Sequence, residues 1–134
     1  RMEKHCSNAA AAAAFLNAHP KVEWVKHPSL KSDKYHALAE KYMPAGTGGM
    51  MSFGIKGDAK RCAAFMEALS LITQETHVAD VRSCVLHPAS TTHRQLSKAD
   101  LEKAGVPENL VRLSVGIENP EDILTDLSRA LDKI

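Results

Sequence analysis

The chain reads as a single α/β sandwich, with a mostly antiparallel sheet of four or five strands and helices on one side. Two observations predict this. Segments with helical apolar spacing alternate with short apolar segments of β character, and each helical segment carries one apolar face rather than two. A length of 134 residues suits one domain, and 44% hydrophobic against 25% charged residues is ordinary for a globular protein with a real core.

The first element spans residues 1 to about 18. Met2, Cys6, Ala9, Ala13 and Leu16 recur at helical spacing, alanine is the strongest helix former, and Pro20 stops the run. No capping residue precedes it, so it reads as the middle of a longer chain. Arg1 and Lys4 ahead of the apolar run imitate a signal peptide. Glu3 in the basic region, the alanine-rich run and His19-Pro20 in place of a cleavage site argue against one.

Val22, Glu23 and Trp24 form a strand that stops by Pro28. Ser32 or Asp33 then caps a helix with Tyr35, Leu38, Ala39 and Tyr42 as its apolar face, ended by Pro44. Gly46-Thr47-Gly48-Gly49 lacks the Gly-Lys-Ser/Thr of a phosphate-binding loop and leads into alternating Met51, Phe53 and Ile55, so it reads as a loop feeding a strand.

Asp58 caps a third helix whose stripe is Cys62, Ala63, Met66 and Leu69. Leu71-Ile72 lead toward a strand at Cys84-Val85-Leu86, and Gln74 to Asp80 between them have no clear period. Such irregular segments on a rigid frame often carry binding groups. Ser97 with Asp100 resembles a capping box, and Gly105-Val106-Pro107 is a helix stop. Asn119-Pro120-Glu121-Asp122 is a strong helix start, leading to an apolar face of Ile123, Leu124, Leu127, Ala130 and Leu131.

Between these two helices lies Val111-Arg112-Leu113-Ser114-Val115-Gly116-Ile117-Glu118. Alternation points Val111, Leu113 and Val115 one way and Arg112 and Ser114 the other. A guanidinium so placed either pairs with a neighbouring acid on a solvated face or forks two hydrogen bonds to a ligand carboxylate.

The remaining composition narrows the function classes. A net charge of +1 without long like-charge runs gives no nucleic-acid surface, and no stretch reaches the ~20 apolar residues of a membrane helix. Cys6, Cys62 and Cys84 are odd in number and widely spaced, which suits buried thiols in a reducing, cytoplasmic setting. The seven histidines are scattered, and even His87 and His93 lack metal-ligand spacing.

Three motifs in order, His87-Pro88-Ala89-Ser90-Thr91-Thr92-His93-Arg94-Gln95-Leu96, Ala104-Gly105-Val106 and Val111 to Glu118, resemble the C-terminal third of the pyridoxal-phosphate enzymes of cysteine and methionine metabolism. Arg1-Met2-Glu3-Lys4-His5, Tyr35 to Ala39 and Ser52 to Gly57 extend the resemblance over essentially the whole chain. Within that family the O-acetylhomoserine sulfhydrylase branch is the most similar.

The resemblance implies that residues 1–134 form the small C-terminal domain of a fold-type I transferase, completed by its own N-terminal pyridoxal-phosphate domain in a homotetrameric parent. It implies γ-replacement, in which O-acetylhomoserine and sulfide give homocysteine, with Arg112 binding the substrate α-carboxylate. A γ-lyase or cystathionine γ-synthase shares the Arg112 motif. A non-catalytic amino-acid-binding or dimerisation module is the alternative of another class.

His77-Val78-Ala79-Asp80 departs from the Asn-Val-Gly-Asp common in the sulfhydrylases, and the family places this position beside the substrate. His77 there either shapes the pocket or moves protons, or else is a packing variant. Ser90, Thr91 and His93 suggest only turn hydrogen bonds. No motif for the Schiff-base lysine, the ring-nitrogen acid or the phosphate ligands is present, so no catalytic residue and no bound cofactor are expected in these residues, and this chain alone should be inactive.

Overall fold

A computed structural model describes residues 1–134, and its sheet has five strands in the order β1-β2-β5-β4-β3. The strands are β1 (Val22–Lys26), β2 (Met50–Ile55), β3 (Thr73–Gln74), β4 (Cys84–Leu86) and β5 (Leu110–Ser114). Every neighbouring pair is antiparallel except β3 and β4, so the mostly antiparallel expectation holds.

The helices are α1 (Met2–Ala18), α2 (His36–Tyr42), α3 (Ala59–Ala68), α4 (Lys98–Lys103) and α5 (Pro120–Asp132). Alternation along the strands sends Met51, Phe53, Val85, Val111 and Leu113 to one face, where they join Ala9, Ala13 and Leu16 of α1, Cys62 and Phe65 of α3, and Ile123 and Leu127 of α5 in a single core. Phe53 and Phe65 meet edge to face, with ring centroids 5.9 Å apart. Ala39 of α2 and Leu101 of α4 are buried outside that core.

Three of the four expected caps form; the exception is α2, which starts after Tyr35 with no side-chain cap, because Asp33 accepts from the Tyr35 N–H at 2.8 Å ahead of the helix and Ser32 does not cap it. Asp58 accepts from the Arg61 N–H, Ser97 from the Asp100 N–H and Asn119 from the Glu121 N–H, each satisfying a free first-turn donor. Arg1 precedes α1 without a side-chain cap.

Several apolar stripes differ from the periodic reading. Met2 is 61% exposed, and the buried side of α1 includes His5, Asn8 and Ala12. Ala63 is exposed while Phe65 is buried. Tyr35, just ahead of α2, and Leu38 and Tyr42 on it are 53%, 52% and 69% exposed, because this short helix turns only Ala39 inward. The cysteines are all free thiols, Cys62 and Cys84 buried and Cys6 half-buried. Burial, with the nearby Asp58 charge, pushes the Cys62 thiol up to about 11 and leaves it inert.

Candidate functional site

The second face of the sheet carries the candidate site. Leu110, Arg112 and Ser114 project there from β5, opposite Gly54, Ser52 and Met50 of β2, and Cys84 and Leu86 of β4 share that face. Cys84, Leu86, Leu110 and Ser114 are buried, and Arg112 is half-buried. Trp24 lies against Gly54, whose missing side chain makes room for it: a Cβ there would stand 2.2 Å from the indole nitrogen.

A strap, Thr76 to Ala79, runs over this face and is fastened at three points. Arg112 donates from Nη2 to the Thr76 carbonyl at 2.9 Å, Cys84 donates from Sγ to the His77 carbonyl at 3.2 Å, and the Ala79 N–H donates to Ser114 Oγ at 3.2 Å. Cys84 and Ser114 are paired in register, so three adjacent positions of β4 and β5 hold one loop. Burial pushes the Cys84 thiol up, against the opposing pull of Ser114 and the Arg112 charge.

Arg112 and His77 are thus brought to the same place. The guanidinium bonds the residue preceding His77, while the His77 side chain is exposed. The ion pairs of the chain join His36 to Glu40, Arg82 to Asp80, Lys98 to Glu108 and Arg129 to Asp126, so Arg112 does not serve a neighbouring acid. Its other guanidinium donors are free for a planar anionic group.

Ala79 has φ +60°, the only non-glycine residue of the chain in the left-handed region. That conformation costs an L side chain about 1–2 kcal/mol, and here the Ser114 hydroxyl and the Cys84 thiol hold the strap in it.

Beyond β5 the chain is clamped on both sides. Val115 donates to the Gly49 carbonyl at 2.8 Å, and its own carbonyl receives His5 Nδ1 at 2.7 Å, which fixes the proton on that ring nitrogen. Asn8 Nδ2 donates to the Gly116 and Glu118 carbonyls at 3.1 and 2.8 Å. The Gly116 N–H donates to Ser83 Oγ at 2.9 Å, Ser83 Oγ donates to Glu118 Oε2 at 2.9 Å, and the Ser83 N–H donates to Glu118 Oε1 at 2.5 Å. A Cβ on Gly116 would fall 2.3 Å from the Val81 carbonyl oxygen, so only glycine lets the strap's exit pass.

This clamp explains the Val-Gly-Ile-Glu ending that sequence reasoning noted but did not interpret. Its partners His5, Asn8 and Ser83 lie far away along the chain. The polar residues on the otherwise apolar side of α1 were the available signal.

The other motif residues build a turn. His87 donates from Nε2 to the Glu108 carbonyl at 2.7 Å, so its Nδ1 accepts from Ser90 Oγ at 2.8 Å, and Thr91 Oγ1 donates to the His87 carbonyl at 2.8 Å. These bonds satisfy a 3₁₀ turn at Pro88–Ser90, and Thr92 and His93 bond each other on the surface. No cluster of His, Cys, Asp or Glu side chains suited to a metal is formed, and no helix is long and apolar enough to cross a membrane.

A match to known proteins extends across this geometry. Residues 1–132 match the family model of the Cys/Met metabolism PLP-dependent enzymes. The chain is 46% identical over its whole length to the O-acetyl-L-homoserine sulfhydrylase of Leptospira meyeri, of which it covers 30%. It is 44% identical over 98% of its length to the homocysteine synthase of Schizosaccharomyces pombe, covering 31% of that protein. It is 42% identical to the L-methionine gamma-lyase of Fusobacterium nucleatum subsp. polymorphum, covering 34% of that one. Its fold matches a Campylobacter jejuni crystal structure described as an O-acetylhomoserine (thiol)-lyase carrying a pyridoxyl-lysine, with TM-score 0.92 and 40% identity over 98% of this chain and 31% of that one. The chain therefore spans about a third of the length of these relatives.

Proposed function

Because the chain belongs to the Cys/Met metabolism PLP-dependent enzymes, we propose that it is the small C-terminal domain of a sulfhydrylase that makes homocysteine from O-acetylhomoserine and sulfide. The observation that carries this reading is the Arg112 guanidinium, half-buried beside the strap, bonded to one carbonyl and paired with no acid.

The residues present do not fit the cofactor itself. A Schiff-base lysine needs a desolvated amine, whereas every lysine here is exposed except Lys21, whose Nζ donates to the Leu131 carbonyl at 2.8 Å. Pyridoxal phosphate supplies the electron sink for γ-replacement when held by the rest of the protein. This chain's contribution is orientation. Arg112 forks two charge-assisted bonds to the substrate α-carboxylate, and the fixed strap bounds the ligand on the β4 side with His77 at its rim. In this reading the chain alone turns over no substrate.

A γ-lyase is the second reading, supported by the similarity to a methionine gamma-lyase at nearly the same identity as the sulfhydrylases. Product analysis of the full-length protein separates the two. Homocysteine from O-acetylhomoserine and sulfide supports the sulfhydrylase, and efficient release of a keto acid and a thiol from methionine with little γ-replacement overturns it. A protein that binds an amino acid and turns over neither substrate would instead be a non-catalytic module.

A further inference from the structure

The outer side of α2 forms a groove that nothing in the chain covers. Tyr35, Leu38 and Tyr42 recur at helical spacing, which puts them on one side of the helix, and Met43 extends that side past its end. All four are exposed. With Pro28 they line a cavity of about 180 Å³ whose open surface is wholly apolar. Tyr35 is also a wall of the next cavity, lined on its loop side by Ser32, Asp33 and Lys34, so the two join into one groove.

Cations rim this groove. The Lys34 ammonium stands 4.7 Å from the centroid of the Tyr35 ring, and that of Lys41 stands 5.0 Å from the centroid of Tyr42. Lys31 is exposed on the same loop. None of these lysines takes part in the chain's ion pairs. The neighbouring acids are already engaged: Asp33 accepts from the Tyr35 N–H at 2.8 Å, and Glu40 pairs with His36 at 3.5 Å.

An exposed apolar groove with a charged rim marks a contact surface, and the sign of the rim selects the partner. A second copy of this chain would set Lys31, Lys34 and Lys41 against their own images. A lipid surface is flat whereas this face is hollow, and a net charge of +1 draws the chain only weakly to an anionic membrane. Single-stranded nucleic acid stacks its bases on aromatic faces, but lysine ammoniums already lie over Tyr35 and Tyr42.

We propose that the α2 groove docks an acidic peptide segment of a partner protein. An aliphatic side chain enters the cavity between Tyr35, Leu38, Tyr42 and Met43, and flanking carboxylates meet Lys34 and Lys41. The inference stands independently of the Arg112 reading.

The test is a fluorescence-anisotropy titration of the full-length, cofactor-loaded protein with labelled Glu-Glu-Leu-Glu-Glu-Leu-Glu and with its charge opposite, Lys-Lys-Leu-Lys-Lys-Leu-Lys. The acidic peptide should bind and the basic one should not. Leu38→Ala should weaken the acidic peptide about five- to tenfold, and Lys34→Glu combined with Lys41→Glu should weaken it by more than about tenfold and admit the basic peptide instead. Substrate turnover should stay that of the parent, because all three side chains are exposed. Failure of the acidic peptide to bind, or binding that these substitutions leave unchanged, overturns the proposal. A change of oligomeric mass in Leu38→Ala would assign the groove to another subunit and overturn it too. Binding of phosphatidylserine vesicles or of an oligothymidine in place of the peptide has the same consequence.

Discussion

Arg112 and Thr76, on different segments of the chain, are joined by a 2.9 Å bond from guanidinium to backbone carbonyl, so the residue that would hold the substrate also fixes the loop beside it. One side chain thereby sets the position of two parts of the site. A loss at Arg112 should loosen the strap as well as remove a charge.

The strap stores strain at Ala79. Replacing Ala79 by glycine removes the penalty of φ +60° but adds chain freedom to the unfolded state, for a net gain of about 0.5–1 kcal/mol. The midpoint of urea unfolding should rise without a change in slope. A lower midpoint would mean that the Ala79 methyl makes contacts worth more than the strain.

The clamp after β5 should be costly to open. Ser83→Ala deprives the Gly116 N–H and one Glu118 oxygen of their shared partner, and leaving such groups unmet costs about 1–3 kcal/mol. Because Ser83 also follows the strap, amide exchange should quicken at Val115 to Ile117 and at Ala79 together. Exchange that quickens at only one of these segments would show that the two are not mechanically joined.

Asp126 gives an acid-sensitive joint. Burial pushes its carboxyl up, but hydrogen bonds from the Ile72, Ser70 and Leu71 N–H groups and the Ser70 hydroxyl outweigh it and hold the pKa below the ordinary value. The unfolded state therefore takes up this proton first as pH falls. The stabilisation is complete above the ordinary carboxylate pKa and is lost as pH drops through the lowered one. Asp126→Asn should cost about 2–3 kcal/mol at neutral pH, and the difference from the parent should shrink in acid. A difference that stays constant with pH would contradict this assignment.

His27 acts in the next pH range. It is fully buried, with Nδ1 2.7 Å from Ser29 Oγ and Nε2 3.4 Å from the Gly48 carbonyl, and burial lowers its pKa despite that carbonyl and the Asp33 charge. The unfolded imidazole protonates first, so stability is full above about pH 6.5 and declines below it until the lowered folded pKa is reached. His27→Gln keeps polar groups in the cavity without this titration. Chemical denaturation from pH 8 to 5 should fall more steeply for the parent than for the variant, and parallel curves would contradict the account.

Much of this was legible along the chain. The β5 alternation, the Asn119-Pro120 start of α5 and the Ser97 cap arise from local periodicity and local hydrogen bonds, which a sequence displays directly. The buried polar groups were not. His5, Asn8, Ser83 and Asp126 are buried because partners distant in sequence satisfy them, and a hydrophobic pattern counts each as a surface residue. The two residues of β3 are too few to show a period, and the exposed face of α2 has the same spacing as a core face. The strap's place above Arg112 depends on the register of β4 with β5, which no local signal sets.

The central claim is that Arg112 recognises the α-carboxylate, and the most direct measurement compares binding of an amino-acid substrate and its α-carboxamide analogue by the full-length protein before and after Arg112→Lys. The carboxylate ligand should weaken by about 1.5–3 kcal/mol, because lysine keeps the charge but loses the fork, while the carboxamide changes little. An equal change for both ligands, or none for either, would remove Arg112 from the carboxylate and contradict the account.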